Sequence, residues 1–321
     1  MIKKRTCKRI FAMLATIAGA SFVFVTASVA SPQTASGSKP QMLLALGDSL
    51  AAGYQPPDGT QPPPIDPATG YPDRGYPGSY PADIAKARHL ELVDLGCPSE
   101  TSTSMRTTPA QTECATLYQS EFDRSSQLVA ARAFLGHHKN QVGLVTLDIG
   151  ANDFDKCLST SGVSSSCLAA SEARFEANFI VIVHTIESAL RRDDPSARFL
   201  TMNYYDPFLG FAYEPGGTRG AQLAAASLFA INALNAQLAA SNRLLGLSGA
   251  DVARAFDLNS PLPLASYAGK RLPKNVFVTC ELTWMCPQNP ASKPDIHPNL
   301  TGYSKIASAF ERLLARDTTS G

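Results

Sequence analysis

A serine on a tight turn and a histidine in a loop are the residues of this chain best suited to chemistry. Ser49 stands in the stretch Gln41 to Tyr54, QMLLALGDSLAAGY, where an apolar run of strand length breaks at Gly47, Asp48 and Ser49 and helix-friendly Leu50, Ala51 and Ala52 follow. A strand, turn and helix of this kind hold a serine at the carboxyl edge of a sheet, where a helix N-terminus offers backbone N–H groups and positive partial charge to an oxyanion. The competing reading is that Gly-Asp-Ser only turns the chain and caps the helix, since Asp and Ser are favoured caps. Serine becomes a nucleophile when a base takes its proton, so some histidine must reach it in the fold. Asp295-Ile296-His297-Pro298-Asn299 offers one: Pro294, Pro298 and Asn299 place His297 in a loop ahead of a helical run, Leu300 to Leu314.

With Gly47-Asp48-Ser49-Leu50 first, Gly150-Ala151-Asn152-Asp153 in mid-chain and His297-Pro298 late, the sequence resembles the GDSL, or SGNH, serine esterases and lipases. The family carries G-D-S-L, G-x-N-D and a late D-x-x-H-P in that order. The resemblance spans Gln41 to the last helical run and is strongest to secreted, disulfide-containing bacterial members. It implies a hydrolase of carboxylic esters, of lipase or esterase type, working through an acyl-enzyme, with no cofactor and no metal. It also implies an oxyanion hole made from the N–H of Ser49, a backbone N–H of the second block and the side-chain amide of Asn152. In that second block the family's glycine is replaced: Cys97-Pro98-Ser99-Glu100-Thr101 puts Ser99 in its place, so Ser99 is the expected donor. The family's aspartate position, three before the histidine, holds Pro294, and Asp295 stands one residue nearer. Two arrangements are open. Asp295 accepts from His297 Nδ1, which is the one expected, or a main-chain carbonyl near Lys293 or Pro294 does so. Asp148, Asp153 and Asp155 are read as loop polar residues.

The elements that must position these groups are legible as alternation. Strand-like runs at Met42 to Leu46, Leu90 to Leu95, Val142 to Ile149, Arg198 to Asn203 and Gly249 to Ala253 are separated by helical patterns at Pro81 to Arg88, Gln127 to Leu135, Glu172 to Arg191 and Ala221 to Leu245. Strands alternating with helices imply parallel pairing with helices on both faces. The expected fold class is α/β, a three-layer α/β/α sandwich with a mostly parallel central sheet, which the resemblance makes flavodoxin-like. A single domain over residues 41–316 is expected, with a tail at 317–321 and no second core. The Pro, Gly and Tyr-rich insertion Gln55 to Pro81, with Tyr71, Tyr76 and Tyr80, reads as a lid or binding loop, or else as a surface excursion.

Composition sets the compartment and excludes some partners. Met1 to Ala30 has a basic start (Lys3, Lys4, Arg5, Lys8, Arg9), an apolar centre and small residues at Ser28-Val29-Ala30, the pattern of a signal peptide. Residues 31–40 follow as a flexible leader. An uncleaved anchor is the rival reading, but the apolar run is shorter than the roughly 20 residues that span a bilayer, and no later stretch is expected to span. Those first 30 residues hold five of the 28 basic residues and none of the 27 acidic ones, so cleavage leaves a formal charge of −4. A mildly acidic chain argues against a nucleic-acid partner. The protein is expected to be secreted and monomeric, with an ester of a lipid, an acylated small molecule or a glycan as its partner. Removing Cys7 leaves six of the seven cysteines, an even set that suits an exported chain. Short loops close most easily, which favours Cys97–Cys114, Cys157–Cys167 and Cys280–Cys286, and the secreted lipases it resembles likewise have three short-range bridges. A zinc site lacks any C-x-x-C pair or His/Cys cluster. Two other readings remain: a carbohydrate acetyl-esterase of the same family, and a cell-surface binding protein on a retired scaffold.

Overall fold

The apolar run after Gln41 becomes the central strand, β1 (Met42–Gly47), buried at every residue, as a strand covered on both faces must be. The computed structural model describes residues 41–56, 78–107, 126–159, 162–213, 217–286 and 293–317. Beside β1 lie β2 (Glu91–Asp94) and β3 (Val142–Asp148), followed outward by β4 (Arg198–Met202) and β5 (Ser248–Ala250). The sheet order is β2-β1-β3-β4-β5 and every neighbouring pair is parallel. The chain leaves β1 to one side for β2 and then crosses to the other side for β3. The crevice beyond the carboxyl ends of β1 and β3 is therefore the switch point at which open α/β sheets bind ligands.

Helices cover both faces, giving the three-layer α/β/α architecture. On one face α1 (Tyr80–Arg88) packs on α5 (Leu300–Asp317), and on the other α2 (Gln127–His137), α3 (Ser165–Asp193) and α4 (Gly217–Leu245) stand side by side. The starts are capped as their sequences suggest: Ser79, Ser126 and Ser164 accept from Ala82, Val129 and Cys167 N–H, satisfying donors that the helix itself cannot. In α5 the buried residues Tyr303, Ile306, Ala307, Phe310 and Leu314 recur at helical spacing and form its core-facing stripe. Phe310 stacks on Tyr80 at 5.2 Å, and Arg88 forms a two-pronged ion pair with Glu311.

Several expectations are corrected. A smaller apolar cluster lies beside the main core: Leu209, Leu258, Tyr267, Leu272, Val276 and Met285 pack with Cys280 and Cys286 around a helix, Lys274–Leu282, that the alternation did not reveal. One later stretch, Thr218–Leu245 in α4, does reach the length and apolarity of a membrane span. It rests on α3 and on the short 3-10 segment Pro207–Ala212, with Ala230, Leu234 and Leu238 turned into the core. Asp148 and Asp153 are buried rather than loop polar residues. The signal peptide, the leader, residues 318–321, Cys114 and residues 57–77 of the insertion lie outside the described residues.

Candidate active site

Register and turn geometry bring the candidate residues to the switch point. Ser49 follows β1 and Asn152 follows β3. Gly47 sits beside Asp148 in the ladder, with φ +141° and no room for a side chain: a Cβ there would lie 1.9 Å from Asp148 Oδ1. Only glycine lets the chain turn here. Gln127 locks the same turn from α2, accepting from Gly47 N–H at 2.7 Å and donating to its carbonyl at 2.8 Å.

His297 reaches Ser49 across 248 residues of sequence. Its Nε2 is 2.8 Å from Ser49 Oγ and its Nδ1 is 2.8 Å from Asp295 Oδ1. The same carboxylate oxygen accepts the His297 backbone N–H at 2.9 Å, so a spacing of two residues serves in place of three. Burial pushes the Asp295 carboxyl upward, but its hydrogen bonds to the His297 ring and backbone and the charge of the ring outweigh this and leave it below its ordinary value. The loop is held as a short strand pair: Thr283 bridges Pro298, Trp284 N–H donates to His297 O, and Asp295 N–H donates to Trp284 O. Cys280–Cys286 closes the partner segment. Gln55 ties both sides, accepting from Trp284 Nε1 at 2.9 Å and donating to Pro298 O at 2.8 Å, while the Tyr54 ring packs on His297 at 4.3 Å. Sequence reasoning missed Tyr54, Gln55 and Trp284, although Trp284 is the only tryptophan and lies between two cysteines.

The oxyanion candidates differ in placement. Ser49 N–H has no acceptor among the described residues, whereas the next two N–H groups, of Leu50 and Ala51, are taken by Asp48 and Asp148. Asn152 Nδ2 donates one hydrogen to Glu100 O at 2.9 Å, which orients the amide and leaves its second hydrogen for a ligand. Its neighbour Asp153 anchors the second block by accepting Ser102 N–H and Oγ–H. Ser99 is exposed, with φ 64°, a left-handed conformation that glycine adopts without cost and other residues adopt reluctantly. It stands in the same loop as Glu100, but it does not line the cleft in which Ser49, Asn152 and His297 meet.

That cleft encloses about 660 Å³ including its open mouth, with walls of Leu50, Phe154, Phe208, Ile231, Leu234 and Ile296. The structure joins Cys157 to Cys167 beside it in sequence, and Cys97 is also disulfide-bonded. Among the described residues no group of His, Cys, Asp or Glu is arranged to hold a metal ion.

Burial makes several carboxyls poor acids. It raises Asp48 and Asp155 to about 6 and Glu100 and Asp206 to about 7, against the hydrogen bonds that favour their charged forms or, for Asp155, the charge of His297. The folded state then holds protons that the unfolded chain has already released. The resulting stability is complete below the unfolded values of about 4 and is lost as pH rises through 6 to 7. Asp295 has the opposite sign and costs stability only in stronger acid. The melting temperature is expected to be higher at about pH 5 than at about pH 8, by roughly 5 °C or more. Equal melting temperatures would show that these carboxyls are not held protonated.

Comparison with known proteins follows the same lines. The model of the GDSL-like lipase/acylhydrolase family matches residues 45–305. Among solved structures, the chain is similar to phospholipase A1 from Streptomyces albidoflavus NA297, at 18% identity over 85% of this chain and 99% of that one, with a TM-score of 0.50. It is also similar to an extracellular lipase from Streptomyces rimosus, at 19% identity over 85% and 99% with a TM-score of 0.44. A carbohydrate acetylesterase from Sinorhizobium meliloti matches at 12% identity over 86% and 99%, with a TM-score of 0.46. No curated protein sequence matches. At such identities the phospholipase likeness speaks for the fold, while the family model spans most of the sequence and includes Ser49, Asn152 and His297: the chain belongs to the GDSL-like lipase/acylhydrolase family, the SGNH hydrolases.

Proposed function

We propose that this protein is a secreted serine hydrolase of carboxylic esters, of lipase or esterase type. The observation that carries the reading is the hydrogen-bonded chain Asp295–His297–Ser49 at the wall of an apolar cleft. Ser49 Oγ attacks the ester carbonyl while His297 Nε2 takes its proton. Asp295 fixes the ring with Nδ1 protonated and steadies the imidazolium. The carbonyl oxygen becomes an oxyanion, facing the Ser49 N–H and the spare hydrogen of the Asn152 amide; Ser99, outside the cleft, would have to move inward to add its N–H as a third donor. Each such donor lowers the barrier by about 2.7–4 kcal/mol. Collapse breaks the bond to the leaving oxygen, which receives the proton from His297. Water, deprotonated by the same nitrogen, then attacks the acyl-Ser49 carbonyl; the bond to Oγ breaks, His297 returns the proton to Ser49 Oγ and the carboxylic acid leaves.

The cleft supports an apolar acyl group. Its walls are apolar, with the polar groups of Ser49, Asn152 and His297 converging at one side, the lining through which ligand pockets mainly bind. Export through residues 1–30 suits a chain whose described cysteines are disulfide-bonded, because such bonds persist in oxidising compartments. A panel of p-nitrophenyl esters from acetate to palmitate, beside acetylated xylan, tests the reading. Esters longer than acetate are expected to give the highest kcat/KM. Turnover of the xylan alone would move the protein to the carbohydrate acetyl-esterases, and turnover of nothing would leave a binding protein.

A further inference from the structure

Two carboxyl groups lie beneath the nucleophile, and the ester-cleaving steps use neither. Asp48 Oδ1 accepts Leu50 N–H at 2.9 Å and Asp148 Oδ2 accepts Ala51 N–H at 3.0 Å. The two acids thus sit on consecutive amides of the turn that carries Ser49. Their other oxygens receive phenols, Tyr204 on Asp48 at 3.3 Å and Tyr80 on Asp148 at 3.1 Å. Asp48 is 2% exposed and Asp148 0%. The titratable groups facing Asp48 are Asp148, Tyr204 and His297, with Glu100, Asp155 and Tyr205 within electrostatic reach. Those facing Asp148 are Asp48, Tyr80 and Asp94, with Tyr204 and Tyr303 beyond. Among the described residues no lysine or arginine pairs with either acid. Two like charges so close and so dry cannot both persist, and one proton stays. Burial and then the charge of Asp48 push Asp148 well above the ordinary carboxylate range.

We propose that Asp148 is a positioning residue: it carries a proton shared with Asp48, pins the Ser49 turn through Ala51 and Tyr80, and keeps a second negative charge away from the oxyanion. This rests on the nucleophilic role proposed for Ser49. Loss of the proton would set two anions against each other under the turn, and both would oppose the negative charge that develops in the transition state. The phenols of Tyr80 and Tyr204 are themselves raised well above their ordinary value, so they ionise later than a free tyrosine.

The test is kcat and KM for p-nitrophenyl butyrate between about pH 6 and pH 10, for wild type, Asp148→Ala, Asp148→Asn and Ser49→Ala, with folding checked by thermal melting. Asp148→Ala leaves the Ala51 and Tyr80 donors unpaired and is expected to lower kcat at neutral pH by at least about tenfold with KM within about twofold. Asp148→Asn keeps the shape, is permanently neutral, can donate to Asp48 through its amide N–H and keeps one oxygen to accept from Ala51 or Tyr80. It is expected to rescue most of that loss and to shift the alkaline fall of kcat upward by at least about one pH unit. If the alanine variant does not fold, the alkaline limb of the asparagine variant decides alone. An asparagine profile that superimposes on wild type, with Ser49→Ala inactive, overturns this inference and leaves the nucleophile standing. Substantial activity in Ser49→Ala overturns both.

Discussion

Ser49→Ala is expected to fold and melt like the wild type and to hydrolyse esters at least about 10³-fold more slowly, because nucleophile, base and oxyanion donors act as one unit. The Ser49 side chain contributes one hydrogen bond, to His297 Nε2. The turn is held by other groups: Gln127 on Gly47, the two carboxyls on Leu50 and Ala51, and Tyr303 on the Tyr54 carbonyl. Removing one hydroxyl therefore removes the chemistry and leaves the scaffold. The check is kcat/KM on the best ester of the panel, with melting temperature and circular dichroism beside it. A variant that keeps more than about a tenth of wild-type activity would mean that another group attacks the ester.

Asp295→Asn should cost at least about 10²-fold in kcat, bounded above by the ~10⁴ loss of the aspartate in the serine-protease template. Asparagine can still cap the His297 backbone N–H through its oxygen, so the loop should survive. What disappears is the charge that steadies the imidazolium, together with a unique tautomer, since the amide can also donate to Nδ1. The carboxyl lies below its ordinary value because of His297, so the wild type keeps this charge well into acid. A loss under about fivefold at unchanged melting temperature would leave a Ser49–His297 pair oriented by backbone alone.

The parts of the molecule that could be read from the sequence are those governed by local rules. Continuous apolar runs gave β1 and β3 because strands buried on both faces need them, and the serines that start α1, α2 and α3 act through a hydrogen bond three residues on. The helix read as Glu172 to Arg191 begins at Ser165, because its first two turns are rich in serine and cysteine and carry little apolar periodicity. The grip on His297 was hidden for a different reason. Gln55 and Trp284 are 229 residues apart and meet only in the fold, so neither residue's surroundings in the sequence mark it. Asp148 falls at the end of the apolar run Val142 to Ile149, where nothing local marks it as buried, and only the β1–β3 register shows that it faces another acid. The smaller apolar cluster is assembled on one side of α4 largely from segments of three to nine residues, too short for a periodic pattern to stand out.

The separation of 248 positions between Ser49 and His297 also bears on when activity can begin. Closing so long a loop is entropically affordable, since each doubling of length adds only about 0.6 kcal/mol, but it cannot be done in part. The strand pair that seats the histidine joins residues 283–284 to residues 295–298, and α5 must dock against α1 to hold it. A growing or half-folded chain can therefore display Ser49 on a nearly complete sheet and still lack its base. On the proposed reading, catalytic competence arrives in one step, with the segment that carries His297, and any ester met earlier by the nascent chain is left intact.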